Sequence, residues 1–445
     1  MPMTVAGGRI GWRTPTVVIS CGCVIALLSF GPRSALGQFL TPLSLAGHWG
    51  RDVLSLALAI QNLLWGIGQP FAGAVADRFG APRVLSIGAL LYAAGLVLMA
   101  YATTPAVLHL SAGVLIGFGL SGCSFNLVIG ALGKLLPASW RSFAFGAGTA
   151  AGSFGQFLFS PLARALIDAF DWQSALVVFS ALMLFILPLS LAFSGHATDS
   201  GALSAPRSQS VTQALAEAFG HRSYVLLVLG FFTCGFQLAF ITVHLPAYLM
   251  DRGLSAEVGA WTIGVIGLFN IMGCLLAGWL GERFPKRYIL AAIYFGRALA
   301  VVGFITLPAS PAAAIAFGAV SGLLWLSTVP PTSGLVAVMF GTRWLAMLYG
   351  FAFFSHQVGG FLSVARRHSV RTHGLLRYRM VALGVPGDGL SRDQSADHRA
   401  ARAKVGDFAA TSAHGVVKPL ATSRGIGWGL SNRGAFARVI CCVCS

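Results

Sequence analysis

The sequence predicts an all-α, polytopic membrane protein, and its composition and hydropathy pattern both support this fold class. Of the 445 residues, 56% are hydrophobic and only 10% are charged. A soluble domain, in contrast, carries about 25% charged residues. Long apolar stretches follow one another along the chain, separated mostly by short loops that contain basic residues. We therefore expect a body of transmembrane helices embedded in the lipid bilayer.

A helix needs about 20 apolar residues to cross a bilayer. Eleven stretches meet this requirement, and we number them spans 1 to 11: 15–40, 53–76, 83–102, 106–133, 142–167, 173–194, 222–250, 258–280, 287–307, 310–339 and 345–364. The predicted organisation is an N-terminal bundle (1–194), a solvated linker rich in Gly, Ser and Ala (195–221), an incomplete C-terminal bundle (222–364) and a basic tail (365–445).

The placement of Lys and Arg predicts the orientation, because basic residues concentrate in cytoplasmic loops. With the N-terminus in the cytoplasm, twelve basic residues fall on the inner side: Arg9, Arg13, Arg78, Arg83, Lys134, Arg141, Arg207, Arg222, Arg283, Lys286, Arg287 and Arg343. Only Arg51, Arg164 and Arg252 fall on the outer side. We therefore predict a multi-pass protein of the plasma (inner) membrane whose N-terminus is cytoplasmic.

A short charged loop occurs twice, once after span 2 and once after span 8. The first copy, GAVADRFGAPR, contains Gly73, Asp77, Arg78, Gly80 and Arg83. The second copy, GWLGERFPKR, contains Gly278, Glu282, Arg283, Lys286 and Arg287. Gly73 and Gly278, like Asp77 and Glu282, are separated by 205 residues. The repeat predicts two pseudo-symmetric helical bundles, with one copy of the loop at the same position in each.

The first copy resembles the signature of the major facilitator superfamily, G-x-x-x-D-R-x-G-x-[KR]-[KR], with Pro82 at one of the basic positions. The resemblance covers about residues 10–364 and implies a secondary transporter of two six-helix bundles, the second truncated here. It also implies that the loop residues form a conformational switch at the cytoplasmic face. The segments 33–42 and 244–254 are most similar to the monocarboxylate and oxalate/formate-like branch.

Glycines in spans 5 and 8 predict a close helix crossing, because small residues allow helix backbones to approach each other. Span 5 contains Gly146, Gly148, Gly152 and Gly155, and span 8 contains Gly273 and Gly278. The resemblance implies that the glycine-rich helix 5 packs against helix 8. We therefore expect Gly273 and Gly278 to face the glycines of span 5.

Arg33 in span 1 and Arg297 in span 9 are the principal candidates for substrate binding. A charge in the bilayer core costs several kcal/mol, so an ionisable residue there is a functional candidate. Neither arginine has an evident acidic partner in the sequence, and an unpaired guanidinium suits a substrate carboxylate. The alternative for Arg33 is that it snorkels or pairs at the outer end of its helix.

Polar residues elsewhere in the spans complete the predicted site. Gln237, Asn270 and Asn126 are predicted to line the substrate cavity. His244 and His356 are candidates for proton coupling, although a histidine in a membrane helix also hydrogen-bonds to its neighbours. No Asp or Glu lies convincingly inside a span, which disfavours a carboxylate proton relay and a cation exporter.

We therefore predict a secondary active transporter that moves a small organic anion, similar to a monocarboxylate, by alternating access. The chain contains no P-loop, H-E-x-x-H or triad-like motif, so we expect neither an enzyme nor a cofactor or metal site. The expected partners are a small-molecule substrate, a co-transported proton and lipid, not nucleic acid, and the expected state is a monomer. The alternatives are a drug or metabolite efflux transporter, a non-transporting membrane receptor, and a non-functional truncated transporter product.

The sequence changes character after Leu362, where arginine becomes frequent and apolar runs stop. A basic, disordered tail is one interpretation. Back-translation from Ser363 with a shift of one nucleotide, however, restores segments typical of the last helices of the resembled family. We therefore hypothesise that residues from about 363 onward are read in a shifted frame.

Overall fold

The structure is a computed structural model that describes residues 14–194 and 209–372. In these two ranges all regular secondary structure is helical, and no strand is present. This confirms the all-α class. Most of the described residues belong to one compact unit that ends at Leu362.

In the first half of the chain, the helices have the following bounds: Pro15–Ala35, Leu36–Phe39 and Leu40–Gly47 for span 1, Arg51–Phe79 for span 2, Ala81–Ala100 for span 3, Pro105–Leu108, His109–Leu115, Ile116–Cys123 and Phe125–Leu135 for span 4, Ala138–Ala169 for span 5, and Trp172–Leu184, Ile186–Ser190 and Leu191–Phe193 for span 6. In the second half they are Val211–Gly220 before span 7, Arg222–Asp251 for span 7, Ala256–Arg283 for span 8, Lys286–Thr306 for span 9, Pro311–Leu323 and Val329–Phe340 for span 10, and Leu345–Thr372 for span 11.

Each of the eleven predicted spans is therefore helical, but the spans differ in their ability to cross a membrane. Within the described residues, eight helical stretches are long and apolar enough to do so, judged by length and composition. The helices of spans 2 and 5 are 29 and 32 residues long and are not among the eight. Span 10 consists of two shorter apolar helices rather than one long helix.

Spans 4 and 10 are interrupted, which corrects the prediction that each is one continuous helix. In span 4 the backbone is extended at Ser124, and the side chain of this residue donates to Gln69 Oε1 at 3.0 Å. In span 10 the second helix begins at Val329, just before two prolines that lack a backbone N–H. The second helix begins at Phe125 in span 4 and at Val329 in span 10, 204 residues apart and so within one residue of the offset of the charged loops. The two halves therefore share the interruption as well as the charged loop.

The predicted solvated linker is helical in its last part. Val211–Gly220 forms a helix that begins with a capping box made by Ser210 and Gln213. Ala214 and Ala218 are buried, and the Phe219 ring packs edge-to-face on Phe351 of span 11, with a centroid distance of 5.4 Å. The alanines of this segment, which favoured a linker in the sequence, therefore form the buried face of a short helix. Residues 195–208 of the linker lie outside the described residues.

Spans 5 and 8 cross closely, as predicted, at Gly146 and Gly278. A Cβ atom on Gly146 would lie 2.9 Å from the Cα atom of Gly278 and 2.7 Å from the carbonyl oxygen of Cys274. The expectation was wrong for Gly273, which faces the backbone of Leu323 in span 10. Gly155 was also misassigned, since it packs on the backbone of Leu27 in span 1.

The predictions for the tail fall almost entirely outside the described residues. The helix of span 11 continues to Thr372, so the described part of the tail, residues 365–372, is helical. Disorder of residues 373–445 and the shifted reading frame both stay predictions. Sequencing the underlying DNA tests the frame hypothesis directly. We expect that correcting one base near codon 363 opens a continuous frame whose translation contains a further apolar helix. If no such in-frame continuation exists, the hypothesis is wrong.

Candidate functional site

The first charged loop joins the two halves of the molecule through Asp77. Its carboxylate forms an ion pair with Lys134 at the end of span 4, with an Nζ–Oδ1 distance of 2.6 Å. It also accepts a hydrogen bond at 2.9 Å from the backbone N–H of Met347, in the first turn of span 11. The first N–H groups of a helix have no partner inside that helix, and the helix dipole favours a negative charge there. Asp77 therefore caps a helix of the opposite half.

Glu282 of the second loop makes the pseudo-symmetric contact, but it is weaker. Its carboxylate accepts from the backbone N–H of Phe143, near the start of span 5, at 3.3 Å. Beside it, Ser142 donates its hydroxyl to the carbonyl oxygen of Gly281 at 3.2 Å, and Lys286 Nζ donates to the same oxygen at 3.0 Å. Each loop therefore reaches the first turns of a helix in the other half.

The arginines of the two loops make local contacts. Arg78 and Arg283 lie over the rings of Phe79 and Trp279, at 5.1 and 3.9 Å from the ring centroids. Arg83 donates to the carbonyl oxygen of Phe79 at 3.3 Å. The Arg287 guanidinium donates to Tyr288 Oη at 3.1 Å. These arginine contacts stay within or next to their own loops, whereas the two acids reach the other half.

Glycines allow spans 2 and 11 to pack closely beneath the Asp77 contact. A Cβ atom on Gly73 would lie 2.5 Å from the backbone of Ala346, and one on Gly350 would lie 2.9 Å from Pro70 Cα. Further along, a Cβ on Gly66 would meet Gln357 at 2.9 Å. We call this line of contacts, from Gly73 to Gly66, the loop-end seam. It closes the gap between the halves on the side of the charged loops.

Four aromatic side chains continue the seam at Gly66. Phe30, Trp65 and Phe125 come from three helices of the first half, and Phe353 comes from span 11. Phe353 contacts Trp65 and Phe125 with centroid distances of 4.7 and 6.1 Å, and Phe30 contacts the same two rings at 5.7 and 5.4 Å. All four side chains are buried. They form a closed aromatic ring in which one member belongs to the second half.

Arg33 lies directly next to this aromatic ring. Its guanidinium is 4.8 Å from the Trp65 ring centroid and 5.4 Å from that of Phe30, and its Nη2 donates to Asn62 Oδ1. Its Nε is buried and has no hydrogen-bond partner among the described residues. The ion pairs in the described residues are Lys134–Asp77 and Arg164–Asp168, so none involves Arg33. The guanidinium therefore retains a buried donor for which the described part of the chain supplies no acceptor.

Arg297 is bound more completely. Its guanidinium donates to the carbonyl oxygens of Leu324 and Trp325, which lie in the interruption of span 10, and to the Sγ atom of Cys234 at 3.2 Å. Arg297 also lines a small, partly open cleft together with Gln237 and Ser321. The sequence suggested a role in substrate binding, which stays a prediction. The contacts add a second role, since the cation satisfies carbonyl groups at the end of a half-helix.

The other predicted polar residues differ in how many partners they have. Asn270 donates to Ser153 Oγ at 2.8 Å and accepts from the backbone N–H of Leu326 at 2.9 Å, so it connects spans 5, 8 and 10. Asn126 is buried immediately after the interruption of span 4, and neither polar atom of its side-chain amide has a partner among the described residues. Asn126 therefore remains a more open candidate for ligand contact than Asn270.

The two candidate histidines both lie against aromatic rings. His356 stacks on Phe353 of the aromatic ring, at 5.8 Å, and packs on Phe231 at 5.2 Å. Both of its ring nitrogens are buried, and its side chain lies next to the Cys234 thiol. His244 packs on Phe240 with a centroid distance of 4.6 Å. His356 is thus linked through Phe353 to Trp65 and the Arg33 site, whereas the ring contact between His244 and Phe240 stays within span 7.

Sequence reasoning missed several residues of this arrangement. It treated Lys134 only as a basic loop residue, and it did not select Cys234, Trp65 or Phe353. Lys134 could have been identified as the partner of Asp77 only if the contact between the ends of spans 2 and 4 had been known. The aromatic residues carry no sequence signal, because apolar residues occupy most positions of these spans.

Comparisons with known proteins place these features in context. Residues 10–364 match the family model described as Major Facilitator Superfamily. An uncharacterized MFS-type transporter of Bacillus subtilis, YcxA, is 28% identical over 342 residues, which cover 75% of this chain and 82% of the relative. Human monocarboxylate transporter 11 is 26% identical over 373 residues, covering 80% of this chain and 76% of the relative.

Solved structures show the same fold. The Escherichia coli fucose:proton symporter FucP aligns with a TM-score of 0.62 at 17% identity, over 84% of this chain and 94% of that chain. The proton:xylose symporter XylE aligns with a TM-score of 0.55 at 15% identity, over 78% and 94% of the respective chains. At these identities the likeness concerns the arrangement of helices and not the substrate.

Proposed function

Since this chain belongs to the Major Facilitator Superfamily, and is a membrane transporter of that family, we propose that it moves a small organic anion of the monocarboxylate type. In this proposal two bundles, residues 1–194 and 222–364, alternate around a central site. Arg33 binds the carboxylate of the substrate. The other predicted ligands, Gln237, Asn126, Asn270 and Arg297, line the path or support it.

One observation carries the choice of an anion: the buried, unpartnered Nε of Arg33. A buried donor without an acceptor costs about 1–3 kcal/mol, and more when the group is charged. A substrate carboxylate would remove this penalty and would bring the counter-charge that the ion pairs among the described residues do not supply to Arg33. The names of several relatives, among them human monocarboxylate transporter 11, agree with this substrate class.

The loop-end seam supports a second part of the proposal, namely the conformational state. We assign the charged loops to the cytoplasmic face, because most basic residues lie on that side. The ion pair of Asp77 and the close packing of spans 2 and 11 then close the cytoplasmic side. Substrate would enter Arg33 from the outer side, and His356 would be the nearest candidate to carry a co-transported proton.

Uptake into proteoliposomes tests this function. We expect the protein to take up at least one of radiolabelled lactate, pyruvate and benzoate, and Arg33→Gln to reduce the initial rate by at least about 100-fold, because a charged, hydrogen-bonded contact of about 3 kcal/mol is lost. Arg164→Gln is the matched control. Its guanidinium pairs with Asp168 on an exposed surface, with 65% of the Arg164 side chain accessible, so its uptake should equal that of the unaltered protein.

Two results would contradict the proposal. Uptake of the active anion that is unchanged in Arg33→Gln, with equal insertion of both proteins, removes Arg33 from the binding site. Transport of organic cations without transport of any of the three anions favours efflux of drugs or metabolites instead.

A further inference from the structure

Tyr92 and Arg297 occupy equivalent positions in the two halves. They are separated by 205 residues, the offset that also relates Asp77 to Glu282. Tyr92 lies in span 3 and Arg297 in span 9, the third helix of each half. Each residue comes close to the interrupted helix of its own half: the Tyr92 backbone packs against Gly119 of span 4, and Arg297 binds a carbonyl oxygen inside the interruption of span 10.

The two positions differ in how their donors are used. The donors of Arg297 have oxygen and sulphur acceptors in the interruption of span 10 and on span 7. The hydroxyl of Tyr92, in contrast, is buried and has no hydrogen-bond partner among the described residues. Tyr92 is 0% exposed. Most buried hydroxyl groups in proteins have a partner, so this exception requires a reason.

Arg33 lies beside Tyr92, so a ligand bound by Arg33 would also be within reach of the Tyr92 hydroxyl. The two groups interact electrostatically, and the Tyr92 oxygen lies close to the backbone amide of Arg33. This part of the bundle therefore buries two donors that lack an acceptor among the described residues. They are the Nε–H of Arg33 and the O–H of Tyr92. The position of Tyr92 is well defined, since a Cβ on Gly119 of span 4 would already come within 2.8 Å of the Tyr92 backbone nitrogen.

We propose that the Tyr92 hydroxyl is the second donor to the carboxylate that Arg33 binds. A carboxylate has two oxygens and about four acceptor sites, so it can accept from both groups at once. The inference rests on the proposed function and adds to it a residue that determines specificity. A site with two buried donors rejects a ligand that lacks the matching acceptors more strongly than a site with one donor. The protein should therefore discriminate carboxylates from their neutral amides through both residues.

Tyr92→Phe tests the inference, because it removes one oxygen atom and leaves the packing unchanged. In proteoliposomes containing the full chain, we expect the KM for the transported monocarboxylate among lactate, pyruvate and benzoate to rise roughly ten-fold. The maximal rate should change little, because the lost contact binds substrate in every step of the cycle. The matched control is Tyr349→Phe, since Tyr349 is also fully buried with an unpartnered hydroxyl but lies in span 11. Its KM should stay the same.

A binding measurement separates a ligand contact from a structural role. The anion that is taken up, whether lactate, pyruvate or benzoate, should raise the unfolding temperature of the unaltered protein and of Tyr349→Phe, and it should do so less in Tyr92→Phe. The neutral amide of the same acid should give no shift in any of the three proteins. A purely structural role would instead lower the unfolding temperature of Tyr92→Phe without ligand and leave the shift caused by the anion intact, which would overturn the inference.

The outcomes also separate this inference from the proposed function. If Arg33→Gln abolishes uptake while Tyr92→Phe has the KM of the unaltered protein, the anion site stands and Tyr92 is not part of it. If both variants transport normally, the Arg33 site itself is wrong. If the unaltered chain neither takes up nor binds any of the three anions, the substrate class is wrong and this inference falls with it.

Discussion

Replacing Asp77 with asparagine should shift the protein out of the state closed at the loop end and reduce uptake by about 100-fold. The carboxylate is 1% exposed and holds Lys134 Nζ at 2.6 Å, and it accepts from Met347 N–H at 2.9 Å. Asparagine has nearly the same shape, but it carries no charge. Lys134 would then lose its ion-pair partner. Breaking a buried ion pair costs about 3–5 kcal/mol.

The expected magnitude follows from the equilibrium between conformational states. We expect the lower end of this range, about 3 kcal/mol. The Lys134 side chain is 20% exposed, so water compensates part of the lost interaction with Asp77. About 3 kcal/mol corresponds to a population shift of more than 100-fold, since each 1.4 kcal/mol is a factor of ten. A transporter that rarely returns to the closed state completes its cycle slowly, and uptake falls accordingly.

The measurement combines uptake with a distance between the two halves. Spin labels on the two charged loops should report a longer mean distance in Asp77→Asn than in the unaltered protein. Asp168→Asn is the control, because it also neutralises an aspartate in an ion pair, but on an exposed surface. An unchanged distance in Asp77→Asn would show that the ion pair does not hold the halves together.

A single methyl group at Gly146 should lower both stability and transport, with uptake reduced at least about ten-fold. The new Cβ would lie 2.7 Å from the carbonyl oxygen of Cys274 and 2.9 Å from Gly278 Cα. Both are backbone atoms, so no side-chain rotation relieves the contact, and spans 5 and 8 must separate. Overpacking of this kind costs about 1–3 kcal/mol.

Gly148→Ala is the matched control, because it lies on the same helix and is buried in the same bundle. The nearest atom to its Cβ would be 4.0 Å away, on the Leu132 side chain, so the methyl group fits. We expect an unfolding temperature and an uptake rate close to those of the unaltered protein for Gly148→Ala, and a clear decrease of both for Gly146→Ala. Equal behaviour of the two variants would mean that the crossing of spans 5 and 8 tolerates a wider separation.

The sequence alone determined the fold class and the position of the repeat. Apolar stretches of about 20 residues have few alternatives to helices in a bilayer, because every backbone polar group must find a partner inside the segment. The charged loops at a 205-residue offset were also visible in the sequence. Charged residues are rare in such a chain, so the repeated spacing is easily recognised. Arg33 was found as an unusual charge by the same logic.

Only the tertiary structure decided which residues meet. Asp77 and Lys134 are 57 residues apart and Asp77 and Met347 are 270 apart, and no local pattern encodes those contacts. Tyr92, Trp65 and Phe353 are large side chains among many in apolar helices, and helical periodicity says little when nearly every face is apolar. The interruptions of spans 4 and 10 were hidden too, because hydropathy registers apolar content and not the path of the backbone. Their positions, and the unpartnered hydroxyl that Tyr92 buries beside Arg33, follow from how the helices pack, which is a property of the assembled bundle.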